Sequence, residues 1–551
     1  MVLRPLYGLG WLGLALFAFR ALANSAVESG RVTPAPARLQ FSVEMDAKAG
    51  SAPKDGRLFV VLGKPSGEEP RLSIGSTGLK LAPVLARDVA GWRPGTAAML
   101  DQQSALCPLA NLSLLPEGEY RVQAVLATNQ DLLLPNAPGN WFSKPVAMHL
   151  NPAKRGPIRL KLDQQIPAET LPPDGDLTRF VKFRSEVLSR FWGHPMFLRV
   201  GIILPAGFET ETTRRYPLVV QIGGYGTRFD HAEQLMATNS AFRARWTAPT
   251  TKRMVLLQLD GAGPLGDPYQ VDSANHGPYG SALVEELIPY VESAFRCIGQ
   301  PHARFTTGGS TGGWVSMALQ VFYPDYFGGC WSGYPDSLDF RAVQLVNLYE
   351  EKNAFVNPEG FERPSARQLN GDTLFTMRHE MQVENVLGRG DAFTRSGGQW
   401  GAWNATYSPR GTNGLPVPVW DARTGAIHPE VAEHWKKYDL RQVMADHWSE
   451  LGPKLRGKLH VWVGDADDYF LDGGVRHVAA FLKVATPPAE ARIEFGAQQR
   501  HGWHPREFTA VLDEMQLAVE TNAPKSAQAG IDYLKSKFGH AANCPVCKGG
   551  R

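Results

Sequence analysis

The spacing of hydrophobic positions changes along the chain. Over residues 37–162 they come in short runs separated by turn-formers. Leu58-Phe59-Val60-Val61-Leu62 and Tyr120-Arg121-Val122-Gln123-Ala124-Val125-Leu126 have the composition of strands, the second introduced by the turn Pro116-Glu117-Gly118. Ile158-Arg159-Leu160-Lys161-Leu162 alternates apolar and charged residues, as a half-buried strand does. From Arg199 onward the runs are almost continuously apolar: 200–204, Leu218-Val219-Val220-Gln221-Ile222 and Val255-Leu256-Leu257-Gln258-Leu259. Such strands are covered on both faces. Residues 280–295 carry Leu283, Leu287, Ile288 and Val291 at helical spacing, so helices alternate with strands here.

These rhythms predict two folded parts. A β-sandwich of roughly immunoglobulin-like size is expected over residues 24–165. A mostly parallel, doubly wound α/β domain is expected over 166–525. A chain of 551 residues exceeds what one ordinary core organises, which agrees with the division. Within the second part, Gly329-Cys330-Trp331-Ser332 reads as a short strand, and the next clear one is Leu459-His460-Val461-Trp462-Val463. The interval 338–457 between them is an insertion rich in tryptophan: Trp400, Trp403, Trp420, Trp435 and Trp448. It would either cap a site at the ends of the strands or use its tryptophans to fill a core of its own.

Candidate chemistry centres on Gly308-Gly309-Ser310-Thr311-Gly312. The strand-like Arg304-Phe305-Thr306-Thr307 precedes it, and a helical pattern follows (Val315, Ala318, Leu319, Phe322). This is the G-x-S-x-G turn from strand to helix, whose glycines permit the close backbone approach that leaves a serine hydroxyl exposed. A serine needs a base to take its proton and a carboxylate to orient that base. Two later strand ends carry those residue types in the order expected. The loop Gly464-Asp465-Ala466-Asp467-Asp468-Tyr469 offers Asp467 as the orienting acid. Asp465 and Asp468 compete with it, and Asp336 after the preceding strand ranks last. The loop Gly496-Ala497-Gln498-Gln499-Arg500-His501-Gly502-Trp503-His504 offers His501 as base, with His504 read as a capping or surface imidazole. The backbone N–H groups of Thr311 and of Tyr225, in the loop Gly223-Gly224-Tyr225-Gly226, are the candidate oxyanion donors. Trp314, Trp331 and Trp503 stand close in sequence to these elements and are candidate pocket walls, with core packing the alternative.

Composition narrows the field. Hydrophobic residues are 43% and charged residues 20%, and the formal charge is +3. These values fit a globular chain and give no reason to expect nucleic acid or an anionic membrane as partner. Arg4, the apolar stretch 9–19 and Ala21-Leu22-Ala23 resemble a secretory leader over residues 1–23, so a periplasmic or secreted protein is expected, with no membrane span once the leader is removed. The alternative is an uncleaved anchor. Five cysteines do not make a disulfide scaffold. Cys107, Cys297 and Cys330 read as buried apolar residues. Cys544-Pro545-Val546-Cys547 in the tail (526–551) reads as a local disulfide or ornament, since only His540 stands near enough to help hold a metal.

With these residues in view, the chain resembles the esterase D-like, enterochelin-esterase-like and feruloyl-esterase-like α/β hydrolases over residues 199–520. The resemblance rests on Leu204-Pro205-Ala206-Gly207-Phe208, Asn275-His276-Gly277-Pro278-Tyr279-Gly280, Glu286-Leu287-Ile288-Pro289-Tyr290, the serine turn, Tyr323-Pro324-Asp325-Tyr326-Phe327 and His501-Gly502-Trp503. Gly223 departs from the H-G-x-G form of many relatives, and the long insertion departs from the short ones. The resemblance implies an α/β-hydrolase fold and hydrolysis of carboxylic esters through an acyl-enzyme. It also implies no metal or organic cofactor, and small-molecule, glycan-linked or siderophore-linked ester substrates. Two other classes stay open: a serine peptidase of the same fold, and a carbohydrate-binding protein with vestigial esterase activity. Acyl preference and oligomeric state are not legible.

Overall fold

The computed structural model describes residues 38–78 and 81–524. The expected leader (1–23) and the tail with Cys544 and Cys547 lie outside the described residues. Cys107, Cys297 and Cys330 are buried free thiols, and burial pushes the Cys107 and Cys330 thiols up to about 12. Among the described residues no helix is long and apolar enough to cross a membrane.

Nine strands fill the first part. They are β1 (Leu39–Met45), β2 (Lys54–Gly63), β3 (Val84–Trp92), β4 (Ala97–Leu100) and β5 (Ala105–Cys107), then β6 (Gly118–Ala127), β7 (Trp141–Ser143), β8 (Val146–Leu150) and β9 (Gly156–Gln165). They form one sheet in the order β4-β1-β9-β7-β6-β2-β3-β5, with β8 beside β6. Phe41 and Val43 of β1 share a core with Val60 and Leu62 of β2 and Leu100 of β4, although three strands separate β1 from β2. The sheet therefore folds over on itself. Where turn spacing suggests two stacked sheets, the hydrogen bonding is continuous from β4 to β5.

Strand β2 is buried on both faces, and its alternation serves two cores. Leu58, Val60 and Leu62 point into the sheet's own core, while Phe59 and Val61 meet Val383 and Val386 of the helix Met377–Leu387. That helix belongs to the insertion. Arg57 of β2 is buried at the same seam. It donates to Val386 O through Nε (3.1 Å) and Nη2 (2.9 Å), and pairs with Asp391 at 2.6 Å and Asp88 at 3.1 Å.

The second sheet holds β10 (Thr178–Ser185), β11 (Met196–Ile203), β12 (Leu218–Ile222) and β13 (Val255–Leu259). Two short pairs lie outside it, β14 (Asp272–Ser273) with β15 (Gly277–Pro278) and, further on, β18 (Pro364–Arg367) with β19 (Thr373–Thr376). The sheet is completed by β16 (Arg304–Gly309), β17 (Gly329–Gly333), β20 (Leu459–Gly464) and β21 (Arg492–Gly496), in the order β10-β11-β13-β12-β16-β17-β20-β21. From β13 onward every pairing is parallel; β10 and β11 add an antiparallel edge. The apolar runs have the expected cause. Leu218, Val220 and Ile222 enter one core and Val219 the other, so β12 has no solvent face.

The insertion does not stand apart. Trp400, Trp420 and Trp435 are fully buried in the same cluster as Trp314 and Val463 of the α/β core. Trp403 and Trp448 are buried too. These rings fill a core, but one shared with the α/β domain rather than the insertion's own, and they leave no exposed face for a glycan to stack on.

Arg57→Met keeps the apolar stem but leaves Val386 O without its buried donor. We expect a loss of about 2 kcal/mol, measured as a lower urea midpoint with unchanged m-value. An unchanged midpoint would mean that the seam between the first sheet and the insertion contributes nothing.

Candidate active site

Ser310 joins β16 to the helix Thr311–Phe322 with φ 59° and ψ −123°, a strained conformation for a residue with a side chain. Its neighbours explain how the turn closes. A Cβ on Gly308 would lie 2.6 Å from Gly312 O, and one on Gly312 would strike Ile222 O and lie 2.7 Å from Gly223 O. The helix thus starts against the end of β12 with no side chain between them. Ser310 N–H donates to Gly333 O at 3.0 Å, and Asp336 N–H donates to Ser310 O at 3.1 Å. Thr311 is the first residue of the helix, so its N–H is one of the donors a helix leaves unpaired. Tyr225 sits in the turn closed by Thr227 N–H to Gly224 O (3.0 Å), and a Cβ on Gly224 would lie 3.9 Å from Ser310 Cβ. The two candidate oxyanion donors therefore flank the serine. Asp267, buried after β13, accepts from Gly226 N–H (3.3 Å) and Tyr269 N–H (3.0 Å) and so holds this loop.

His501 and Asp467 meet across two laced strand-end loops. Asp465 N–H donates to Gly496 O (3.0 Å), Ala466 N–H to Gln499 O (3.0 Å), and Gln498 N–H to Asp465 Oδ1 (2.6 Å). Asp467 is fully buried, and its Oδ2 lies 2.8 Å from His501 Nδ1. Tyr469 N–H steadies Oδ1 at 2.9 Å. The imidazole is flanked edge-on by Tyr334 (centroids 4.8 Å apart) and Tyr469 (4.9 Å). Asp468 pairs instead with Arg500 at 2.8 Å, and His504 Nε2 lies 3.3 Å from Tyr334 OH.

Asp336, ranked last of the four candidate acids, sits beside the serine rather than the histidine. It makes no hydrogen bond to His501; its Oδ1 accepts from Ser310 Oγ at 3.5 Å. Its Oδ2 accepts from Tyr269 OH (2.8 Å), Thr311 Oγ1 (2.9 Å), Trp403 Nε1 (3.2 Å) and Gln399 Nε2 (3.3 Å). Burial pushes this carboxyl above the usual range, and these donors pull it back. Gln399 and Trp403 are i and i+4 on the insertion helix Gln399–Tyr407 and so share a face. That spacing places the two side chains together but does not itself point to Asp336. Asp336, like Asp267, follows a strand end.

The three tryptophans named from the sequence behave differently. Trp314 is buried edge-on to Tyr269, and Trp331 is buried against Phe305, stacked on His460 and donating to Glu514 at 2.8 Å. These two are core residues, and the pocket-wall reading is corrected for them. Trp503 is half-buried over Gly496, where a Cβ would lie 2.6 Å from its ring. Among the described residues no cluster of His, Cys, Asp and Glu could hold a metal ion.

No family model matches the sequence, and no curated protein does. Solved structures that resemble the chain include a ferulic acid esterase from Anaeromyces mucronatus, in complex with ferulic acid (11% identity, 64% of this chain and 91% of that one, TM-score 0.30). They also include an S-formylglutathione hydrolase from Agrobacterium tumefaciens (12%, 64% and 98%, 0.33) and a fluorophosphonate-binding serine hydrolase of Staphylococcus aureus (13%, 63% and 99%, 0.34).

Burial, with Glu380 beside it, raises Glu384 to about 8 from 4.5; burial raises Asp267 to about 7 from 3.8. The folded chain therefore binds these protons more tightly than the unfolded one, and stability falls as pH rises from about 4 through about 8. Glu384 holds the start of the Gln399–Tyr407 helix, accepting from Trp400 N–H (2.9 Å), Gly401 N–H (2.8 Å) and Ser396 Oγ (2.8 Å). Glu384→Gln is expected to flatten the fall in urea midpoint between about pH 5.5 and about pH 8.5. A fall as steep as in the wild type would show that Glu384 is not the group responsible.

Proposed function

We propose that the chain is an exported serine esterase. One observation carries the reading: a serine at φ 59° on a strand-to-helix turn shares the C-terminal edge of a parallel sheet with a hydrogen-bonded imidazole–carboxylate pair. Ser310 Oγ attacks the ester carbonyl carbon while His501 takes its proton. The carbon–oxygen bond to the alcohol then breaks, and His501 returns the proton to the departing alkoxide. Water repeats the sequence on the acyl-enzyme and frees the acid. Asp467 accepts from Nδ1, which leaves Nε2 as the proton-carrying atom and favours the imidazolium. The negative oxygen is met by the N–H groups of Thr311 and Tyr225. In the free protein the serine hydroxyl rests on Asp336, and it must turn to His501 when substrate enters; such bonds tighten only in the reacting complex.

The test is hydrolysis of p-nitrophenyl esters from acetyl to octanoyl. We expect a burst in the wild type, a loss of about 10⁴-fold or more in kcat for Ser310→Ala, and about 10²–10⁴-fold for Asp467→Asn. Equal rates in wild type and Ser310→Ala would remove the acyl-enzyme and the reading with it.

A further inference from the structure

The carboxylate beside the nucleophile has no cation. Asp336 is 2% exposed, and among the described residues no Lys or Arg pairs with it. Buried charges are ordinarily paired, because an uncompensated one is costly in a medium that solvates it poorly. All its neighbours can donate to it, an arrangement that suits an ionised carboxylate. The distribution is uneven. Four donors crowd Oδ2, while Oδ1 has only the Ser310 hydroxyl at 3.5 Å. That one partner leaves when Ser310 gives its proton to His501. Oδ1 is then bare beside the carbon whose carbonyl oxygen is taking on negative charge, and two like charges oppose each other across the site.

The wider surroundings supply no cation either. Asp267 holds the Tyr225 loop, and Glu380 and Glu384 hold the insertion helix that touches Asp336. All are buried, and none has a Lys or Arg partner. Asp467 has only His501. Among the described residues, then, no Lys or Arg pairs with any of these carboxyl groups around the elbow.

We propose that the missing cation arrives with the substrate: the ester carries an ammonium group on the carbon next to the scissile carbonyl, and Asp336 Oδ1 receives it. This rests on the esterase reading and narrows it to α-aminoacyl esters. The ammonium takes the place of the serine hydroxyl on Oδ1 as acylation begins, and it lies between the carboxylate and the forming oxyanion. Nothing is oxidised or reduced, and the bonds made and broken are those of ester hydrolysis.

The experiment compares three 4-nitrobenzyl esters on the full chain, with acids that differ only at one position: alanine, propionic acid and N-acetylalanine. Expected is a kcat/KM for the alanyl ester at least tenfold above the propionyl ester, lost on N-acetylation. Asp336→Asn should lower the alanyl value at least tenfold more than the propionyl value, with Ser310 still labelled by a fluorophosphonate as evidence of folding. Equal rates on alanyl and propionyl esters in the wild type would overturn the proposal and leave the esterase reading standing. An equal loss on both esters in Asp336→Asn would overturn it too, reducing Asp336 to scaffold. If Asp336→Asn does not fold, the wild-type comparison of the three esters decides alone. Hydrolysis of none of them, with no fluorophosphonate labelling, would overturn both readings.

Discussion

Backbone meeting backbone at the elbow is the constraint on which the rest depends. Gly308 and Gly312 let the Thr311–Phe322 helix begin against the carbonyl end of β12, and a single Cβ at either position would push them apart. That contact forces Ser310 to positive φ, because the chain must reverse from strand to helix within one residue. It also sets the distance between Ser310 and the Gly223–Gly226 turn, which grows from the same end of β12. The strain is held from behind: Ser310 N–H and O are bonded to Gly333 and Asp336, both on the segment leaving β17. Ser310, the Gly223–Gly226 turn and Asp336 are therefore one packing unit.

Other parts of the chain close on that unit through few contacts. The first sheet sends Leu133 to bond Gly263 O through its N–H at 2.9 Å, and Leu133 O lies 2.8 Å from where a Cβ on Gly397 would be. Gly397 O in turn accepts from Tyr225 OH. Gln399 and Trp403, just beyond, end on Asp336. The all-β region thus reaches the oxyanion turn through the insertion, and Arg57 with the Phe59–Val61 face holds the insertion's other helix in place. This gives the first sheet a task at the site without a single one of its side chains touching Ser310.

Much of this was legible because it follows from local rules. Continuous apolar runs announced the parallel strands, and strand-end loops in chain order supplied the Asp and His types. Strand alternation explains where proximity in sequence misled. Cys330 and Trp331 are adjacent, yet Cys330 enters the core shared with the elbow helix and Trp331 the core on the opposite face, against the C-terminal helix Phe508–Asn522. Standing near the elbow in sequence therefore says nothing about facing it. Gln399, Trp403 and Tyr269 were invisible for the complementary reason. They come from segments whose position relative to Asp336 is fixed by tertiary packing, and no period in the sequence records it. The folding of the first sheet over itself escaped similarly, since turn spacing fixes strand lengths but not which edges pair.

The buried acids share a physical logic. Asp267, Glu384 and Asp467 each accept backbone N–H groups at the start of a loop or helix that no strand partner secures. A carboxylate is the strongest acceptor the chain can supply there, and charge-assisted bonds to N–H groups offset part of its desolvation. Using acids as the pins of a mobile-looking region has an electrostatic consequence that no single pin reveals. Those that are ionised add negative potential to a common interior, where distance attenuates it less than in water, while burial holds Asp267 and Glu384 toward their neutral forms. Negative charge formed at Ser310 would meet that potential as opposition. In the proposed reaction the Thr311 and Tyr225 donors, with whatever charge the substrate brings, would have to supply the balance.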